Sequence, residues 1–271
     1  MPTALMLTLR PMRPCTVPAS LGRATHAAIL RLIAVADPQK AQQIHDDIGV
    51  KPLTVSNVLG LRGAGSHLAA SPSQTYGLRV TLLAAELETL ALAWSPENLE
   101  PFDLDGTAWQ VEQVTSDAAL HPWAGQTSYG ALAAPALTRT ADGPTRWTLE
   151  FVSPVTFRQR GLNQPLPSAD LVWGSLLDKW NAFAPIAFPD EIKRFASECM
   201  AVSRFELRSL AEPTKGGAMQ IGAVGRCTYT ATNRDRYWCA CIETLAQFAF
   251  WSGVGAGATR GFGRARVVEG R

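Results

Sequence analysis

The 271 residues contain no run of about 18 apolar residues, so no membrane-spanning helix is expected. The opening MPTALMLTLRPMRP has too short an apolar run, and no clear cleavage site, for a secretory leader. Cysteine is sparse and odd in number (Cys15, Cys199, Cys227, Cys239, Cys241), with no CxxC pair. That usage fits free, buried thiols in a reducing cytosol, hence a cytoplasmic setting. Only four histidines occur (His26, His45, His67, His121), and there is neither an HExxH motif nor a dense carboxylate cluster. No metal site and no cofactor are therefore expected.

What is present is an ordinary globular balance, 46% apolar and 18% charged. The length suits one large domain or two of about 130 residues. The net charge of +2 decides nothing, but its distribution is uneven. Residues 1–140 hold 9 basic and 11 acidic side chains; residues 141–271 hold 16 and 12. Arg260, Arg264, Arg266 and Arg271 crowd the last twelve positions. A basic second half suits a polyanionic partner, and on charge alone a plainly solvated surface fits equally well.

Hydrophobic periodicity divides the chain in two. Ala4 to Leu9 reads as a strand, ended by Pro11, Pro14 and Pro18. Ser20 is a candidate cap for a helix carrying Leu21, Ala24, Ala28 and Leu32 at helical spacing. Asp37-Pro38 starts a short second helix running to His45, with Gly49 as its stop. Leu53–Ser56 and Tyr76–Leu83 read as strands, a helical stretch leads to Trp94, and Gly106–Thr115 closes the half as a strand. The polar segment 138–146 (TRTADGPTR) reads as a linker. A strand then starts at Trp147. A helix follows Pro167-Ser168 with a stripe of Trp173, Leu176, Leu177 and Trp180. A helical piece near 190–200, strands at 202–210 and 219–231, a helix from Arg234 to Trp251 and a strand at 264–268 complete it. Each half reads as strand, helix, strand, strand, helix, strand. The expected fold is therefore α+β, two tandem ferredoxin-like (βαββαβ) domains with antiparallel sheets, at 1–140 and 145–271. The eight tryptophans fall mostly at core positions and read as packing.

The densest signal is the tail Gly253-Val-Gly255-Ala-Gly257-Ala-Thr-Arg260-Gly261-Phe-Gly263. Such glycines permit positive φ and close approach of the backbone. Exposed amides there could cradle phosphate oxygens, and Arg260 and Arg264 add charge-assisted donors. A dinucleotide site fits the GxGxxA spacing but needs a preceding strand and an acidic residue about 20 positions on. Here a helix precedes, and only 13 residues follow Ala258. A Walker-type loop is excluded because no Gly-Lys-Ser/Thr follows. A plain helix C-cap at Gly253 explains one or two of the glycines, not five.

Lying after an aromatic-rich helix and before a final strand, this tail resembles the C-terminal motif of CRISPR-associated RAMP proteins. It most resembles the repeat-processing endoribonucleases of the Cas-six type. The likeness runs the length of the chain: Pro18 to Asp46 with Lys51-Pro-Leu-Thr-Val-Ser56, then Phe151 to Arg158 with Leu166-Pro167, then Ser252 to Gly263. The resemblance implies an enzyme that binds a CRISPR repeat RNA hairpin and cuts beside it. Other Cas effector subunits and a second copy of the chain, as a homodimer, are the further partners considered. A non-catalytic RAMP subunit that holds guide RNA is the alternative.

RNA carries its own nucleophile, the 2′-hydroxyl. Cutting it needs a base, an acid and positive charge near the phosphorane, and no metal. His45 is the first candidate for acid or base, placed at a helix end whose dipole favours imidazolium, beside Asp46 and Asp47. The other reading of His45 is a partly exposed helix-capping residue. The resemblance implies a catalytic histidine in a stretch like Ile44-His45-Asp46, and some relatives pair it with a lysine, here Lys51. His26 has Ile29, Leu30 and Ile33 at +3, +4 and +7, which reads first as a core histidine and second as another catalytic imidazole. Some relatives carry a tyrosine in the first helix, and this chain has none there. For RNA binding the candidates are Gly253, Gly255, Gly257, Arg260, Gly261, Gly263 and Arg264, with Arg158 and Arg160 just past the first strand of the second half and Lys215 in a turn, each of these three reading equally well as a solvated surface residue.

Overall fold

The computed structural model describes residues 1–63, 65–213 and 218–269. These form two compact units, Met1–Gln126 with Thr259–Gly261, and Thr127–Ala258 with Phe262–Arg271. The division falls at Gln126, ahead of the polar segment 138–146 read as a linker. The cause is a helix, Tyr129–Leu137, that sequence periodicity did not single out. Its Tyr129 packs edge-on to Trp180 at 5.2 Å, inside the second unit.

The first unit starts with strand β1 (Thr3–Pro11) and a short β2 (Cys15–Pro18), followed by helices α1 (Gly22–Ala36) and α2 (Pro38–Asp46). Strands β3 (Leu53–Val55), β4 (His67–Ala70) and β5 (Tyr76–Leu82) follow, then α3 (Ala85–Ala91), β6 (Phe102–Leu104), β7 (Thr107–Thr115) and β8 (Gly125–Gln126). The sheet runs β3-β5-β1-β7-β6 and every pairing is antiparallel. Numbering the four main strands β1, β3, β5 and β7 as one to four gives the order 4-1-3-2 of a ferredoxin-like unit. Alternation along the strands buries Leu5, Leu7 and Leu9 of β1 and Leu78, Val80 and Leu82 of β5. Ile29 and Ile33 of α1 join the same core. On β5 the intervening Arg79 is also buried, its guanidinium 5.3 Å above the Trp123 ring.

The start of α1 is not capped by its own segment. Ser20 was the expected cap, yet the helix begins after Leu21 with no side-chain cap from the cap residue itself. Asn57, from beyond β3, accepts the Leu21 amide at 2.7 Å and donates to the Ala19 carbonyl at 3.0 Å. The second helix does follow local rules: Asp37 accepts the Lys40 amide at 2.9 Å and proline occupies the first turn. A cap of this kind stabilises by about 1 kcal/mol.

The second unit continues with α4 (Tyr129–Leu137), β9 (Arg146–Val155), a ribbon of β10 (Phe157–Gln159) and β11 (Leu162–Gln164), α5 (Ala169–Phe183) and α6 (Glu191–Cys199). Strands β12 (Met200–Pro213) and β13 (Met219–Ala231), α7 (Arg236–Ser252) and β14 (Ala265–Val268) complete it. The sheet order β12-β13-β9-β14 repeats the 4-1-3-2 arrangement. Trp147, Leu149 and Phe151 of β9 are buried, as are Trp173 of α5 and Phe248 of α7. On the alternate positions of β9, Glu150 accepts from Arg226 at 2.8 Å and from Arg266 at 2.7 Å. Those two guanidiniums hold its carboxyl below the ordinary range.

Candidate active site

The first unit gathers the titratable candidates on α1, α2 and the stretch Thr259–Gly261. Helix α1 turns Thr25, Ala28, Ile29 and Ile33 into the core, which leaves His26 half-buried at the margin of that face. Helix α2 is a short amphipath whose Ala41 and Ile44 are buried, so the next residue, His45, points to solvent in the last turn. The two aspartates beside His45 are engaged elsewhere. Asp46 accepts from Gln42 Nε2 at 2.8 Å, and Asp47 accepts the Gly49 amide at 2.7 Å.

Lys51 folds back on the end of α2. Its Nζ donates to the carbonyls of Ile44 and Asp47, and to that of His45 at 3.3 Å. The three donors of an ammonium are thereby committed to carbonyls that a helix terminus leaves orphaned. Lys51 thus contributes a fixed charge and rigidity around His45 rather than a ready hydrogen bond to a ligand.

His26 is held in the neutral form. Burial comes first among the causes, and the charges of Lys51, Arg260 and His45 add to it, pushing the imidazole from 6.5 down to about 4. Its Nδ1 is buried and has no hydrogen-bond partner among the described residues. Arg260 belongs to this neighbourhood because the next residue is anchored in the first unit: the Gly261 amide donates to the Val55 carbonyl at 2.8 Å. His26, His45, Lys51 and Arg260, nominated separately from sequence, are therefore close enough for their charges to interact.

The rest of the glycine-rich tail lies in the second unit, and four of its amides are bonded to protein acceptors. Gly253 N donates to Ala249 O at 3.0 Å, Gly255 N to Ser175 Oγ at 2.9 Å, Ala256 N to Thr156 O at 2.8 Å and Gly263 N to Pro154 O at 2.8 Å. A phosphate cradle from exposed amides does not describe these four positions. Glycine is needed instead for close approach. At Gly255, φ is 75° and a Cβ would lie 2.3 Å from the Thr156 carbonyl oxygen. At Gly263, φ is 69° and the corresponding clash is 2.0 Å from Val254 O. Gly257 shares the positive φ, at 77°. Arg264, expected as a donor to RNA, is largely withdrawn from solvent, and burial with the neighbouring Arg266 pushes its guanidinium down to about 10. Arg158 and Arg160 are exposed on the β10–β11 ribbon, with Arg160 in its turn at φ 51°. Lys215 lies outside the described residues. Among those residues no group of three or more His, Cys, Asp or Glu could hold a metal ion, and no helix is long and apolar enough to cross a membrane.

Two residues that sequence reading passed over organise the tail. Lys179 on α5 is buried, and its Nζ donates to the carbonyls of Ser252 at 3.3 Å, Gly253 at 2.9 Å and Gly255 at 3.1 Å. Ser175, one turn earlier, receives the Gly255 amide. Burial draws the Lys179 amine down to about 7, while three carbonyl acceptors favour its proton. The signal was present in the sequence, since Val172, Leu176 and Lys179 fall at i, i+4 and i+7 of one helical stripe. Lys179→Met, which keeps the length but removes the ammonium these carbonyls share and leaves Gly253 O only its bond from Ser252 Oγ at 2.9 Å, is expected to lower stability by roughly 1–3 kcal/mol in urea unfolding. An unchanged midpoint would show that the carbonyls find other donors.

Comparison with known proteins agrees with this architecture in both halves. The CRISPR Cas6 N-terminal domain model matches residues 1–134, and the model of the CRISPR-associated endoribonuclease Cas6 matches residues 149–265. The chain is 32% identical over 124 residues to a CRISPR-associated endoribonuclease Cas6 of Mycobacterium tuberculosis (strain CDC 1551 / Oshkosh). That match covers 45% of this chain and 38% of the relative's length. Among solved structures, a Thermus thermophilus Cas6 is 26% identical with a TM-score of 0.74, covering 99% of this chain and 98% of that one. A Cas6 product complex is 27% identical with a TM-score of 0.77, covering 99% of both chains. With two ferredoxin-like units in tandem and a family model matching each, the chain belongs to the Cas6 family of CRISPR-associated endoribonucleases.

Proposed function

We propose that this chain binds CRISPR repeat RNA and cleaves it by metal-independent attack of a ribose 2′-hydroxyl, with His26 as general base and His45 as general acid. The supporting observation is the contrast between two imidazoles in one neighbourhood. A half-buried His26 is held neutral down to about pH 4, while His45 stands in solvent at a helix end. A general base must arrive without a proton, the state burial favours for His26, and an exposed imidazole at the neighbouring helix end is placed to reach the leaving oxygen.

His26 takes the 2′-hydroxyl proton as the 2′-oxygen bonds to phosphorus. The bond from phosphorus to the 5′-oxygen breaks, and His45 gives its proton to that oxygen. The products are a 2′,3′-cyclic phosphate and a 5′-hydroxyl. Positive charge from Lys51 and Arg260 favours the phosphorane through the field at the site. The Lys51 amine is committed to three carbonyls, so the direct phosphate contact is assigned to Arg260.

Incubation of the protein with its cognate repeat RNA in EDTA, followed by end mapping, tests the reading. Cyclic phosphate and 5′-hydroxyl ends at one position are expected. Tight binding with no cleavage would replace the enzyme by a guide-RNA-holding subunit. Arg158 and Arg160, exposed on their ribbon, are assigned to the RNA backbone. Replacing both by alanine is expected to lower the slope of log affinity against log salt by about two, with the cleavage position unchanged. An identical slope would remove them from the interface.

A further inference from the structure

Gly22 opens α1, and nothing in the proposed chemistry uses it. Its surroundings are unusual for a helical position. A Cβ built there would lie 2.1 Å from the carbonyl oxygen of Arg260, 2.6 Å from its carbonyl carbon and 3.3 Å from the Gly261 nitrogen. All three atoms are main chain, so no side-chain rotation relieves the overlap. Backbone conformation does not require glycine at this residue, and in a helix glycine is about 1 kcal/mol worse than alanine. What the missing side chain provides is room for the backbone of Arg260.

The place matters because of helix geometry. His26 follows Gly22 by four residues, so both lie on one face, and a helical side chain leans toward the turn N-terminal to its own Cα. The His26 ring therefore leans over the turn on which Arg260 is seated. The opposite wall of the seat is also close. The Gly261 amide donates to Val55 O at 2.8 Å, and a Cβ on Gly261 would lie 3.0 Å from the Asn57 nitrogen. The floor is tied down as well: Thr25 Oγ1 donates to Ser56 O at 2.9 Å and to Gly22 O at 3.1 Å.

We propose that Gly22 is a positioning residue for RNA cleavage: its bare Cα seats the Arg260 backbone against the first turn of α1 and so sets the distance between the Arg260 guanidinium and the His26 imidazole. The inference rests on the roles assigned to His26 and Arg260 above. Through the arginine, Gly22 adjusts both the protonation of the base and the placing of positive charge at the scissile phosphate.

The test is single-turnover cleavage of repeat RNA as a function of pH by the wild type, Gly22→Ala, Arg260→Ala, Arg260→Lys and the Gly22→Ala/Arg260→Ala double variant. Gly22→Ala is expected to slow cleavage by roughly 10- to 100-fold, the usual consequence of displacing a group near a reacting centre by about 1 Å. Its acid limb should move to higher pH by roughly half a unit, because the arginine's charge recedes from His26. Arg260→Ala should move the limb the same way, Arg260→Lys should move it less, and the double variant should add nothing to Arg260→Ala. A wild-type rate and limb in Gly22→Ala, or effects that simply add in the double variant, would overturn the proposal. Should Gly22→Ala fail to fold, the Arg260 variants carry the test: an acid limb left unmoved by Arg260→Ala is equally fatal. If the wild type itself does not cut, the proposed function fails rather than the role of Gly22.

Discussion

His45→Ala loses about 10²- to 10⁴-fold in the single-turnover rate of repeat cleavage while its affinity for the RNA stays within about threefold. The size follows from the role. Without a proton donor the 5′-oxygen leaves as an alkoxide, and the remaining positive charge near the phosphorane compensates only in part. The small effect on binding follows from structure. His45 is exposed, and Ile44 holds α2 in the core, so the helix keeps its place when the imidazole is removed. Rapid-quench cleavage at saturating protein separates rate from affinity. A variant that cuts within tenfold of wild type would move the acid elsewhere in the site.

His26→Ala is expected to cost a comparable factor but with a different signature. On the acid side, wild-type cleavage should lose rate as pH falls toward about 4, where the His26 imidazole takes up a proton. The variant should show no such limb. Stability gives a second and independent readout. The folded chain keeps His26 neutral to about pH 4, whereas in the unfolded chain the ring protonates below its ordinary 6.5. Between those values the unfolded state binds more protons, so stability rises with pH through this window and is lost as pH falls through it. The contribution is on the order of 2–3 kcal/mol. His26→Gln should flatten that part of the curve relative to wild type in urea titrations at pH 4.5 and pH 7. Parallel curves for the two proteins would mean that the imidazole is not held neutral by the fold.

Much of the architecture was legible in residue order. Alternation along Trp147–Phe151 and the helical spacing of Trp173, Leu176, Leu177 and Trp180 place strand and helix correctly, because burying one face imposes a period on either element. The helix Tyr129–Leu137 escaped, since its alanines and Pro135 carry little periodicity and its identity depends on packing against residues far along the chain. The same limit applies to the site. His45 was visible as a helix-end histidine. That Lys51 would turn back on the carbonyls of α2 was not, because spacing alone does not say whether a lysine meets a ligand or its own backbone.

By itself the sequence determined the two ferredoxin-like repeats, the short helix that carries His45 and a glycine-dense tail free to take positive φ, since periodicity, capping and backbone freedom are local properties of the chain. Only the tertiary structure decided that His26 stays neutral, that Lys179 rather than a ligand takes up three carbonyls beside the tail's glycines, and that Arg260 rests on Gly22. Each of these depends on desolvation or on contact between segments tens to hundreds of residues apart, and neither is encoded at any single position.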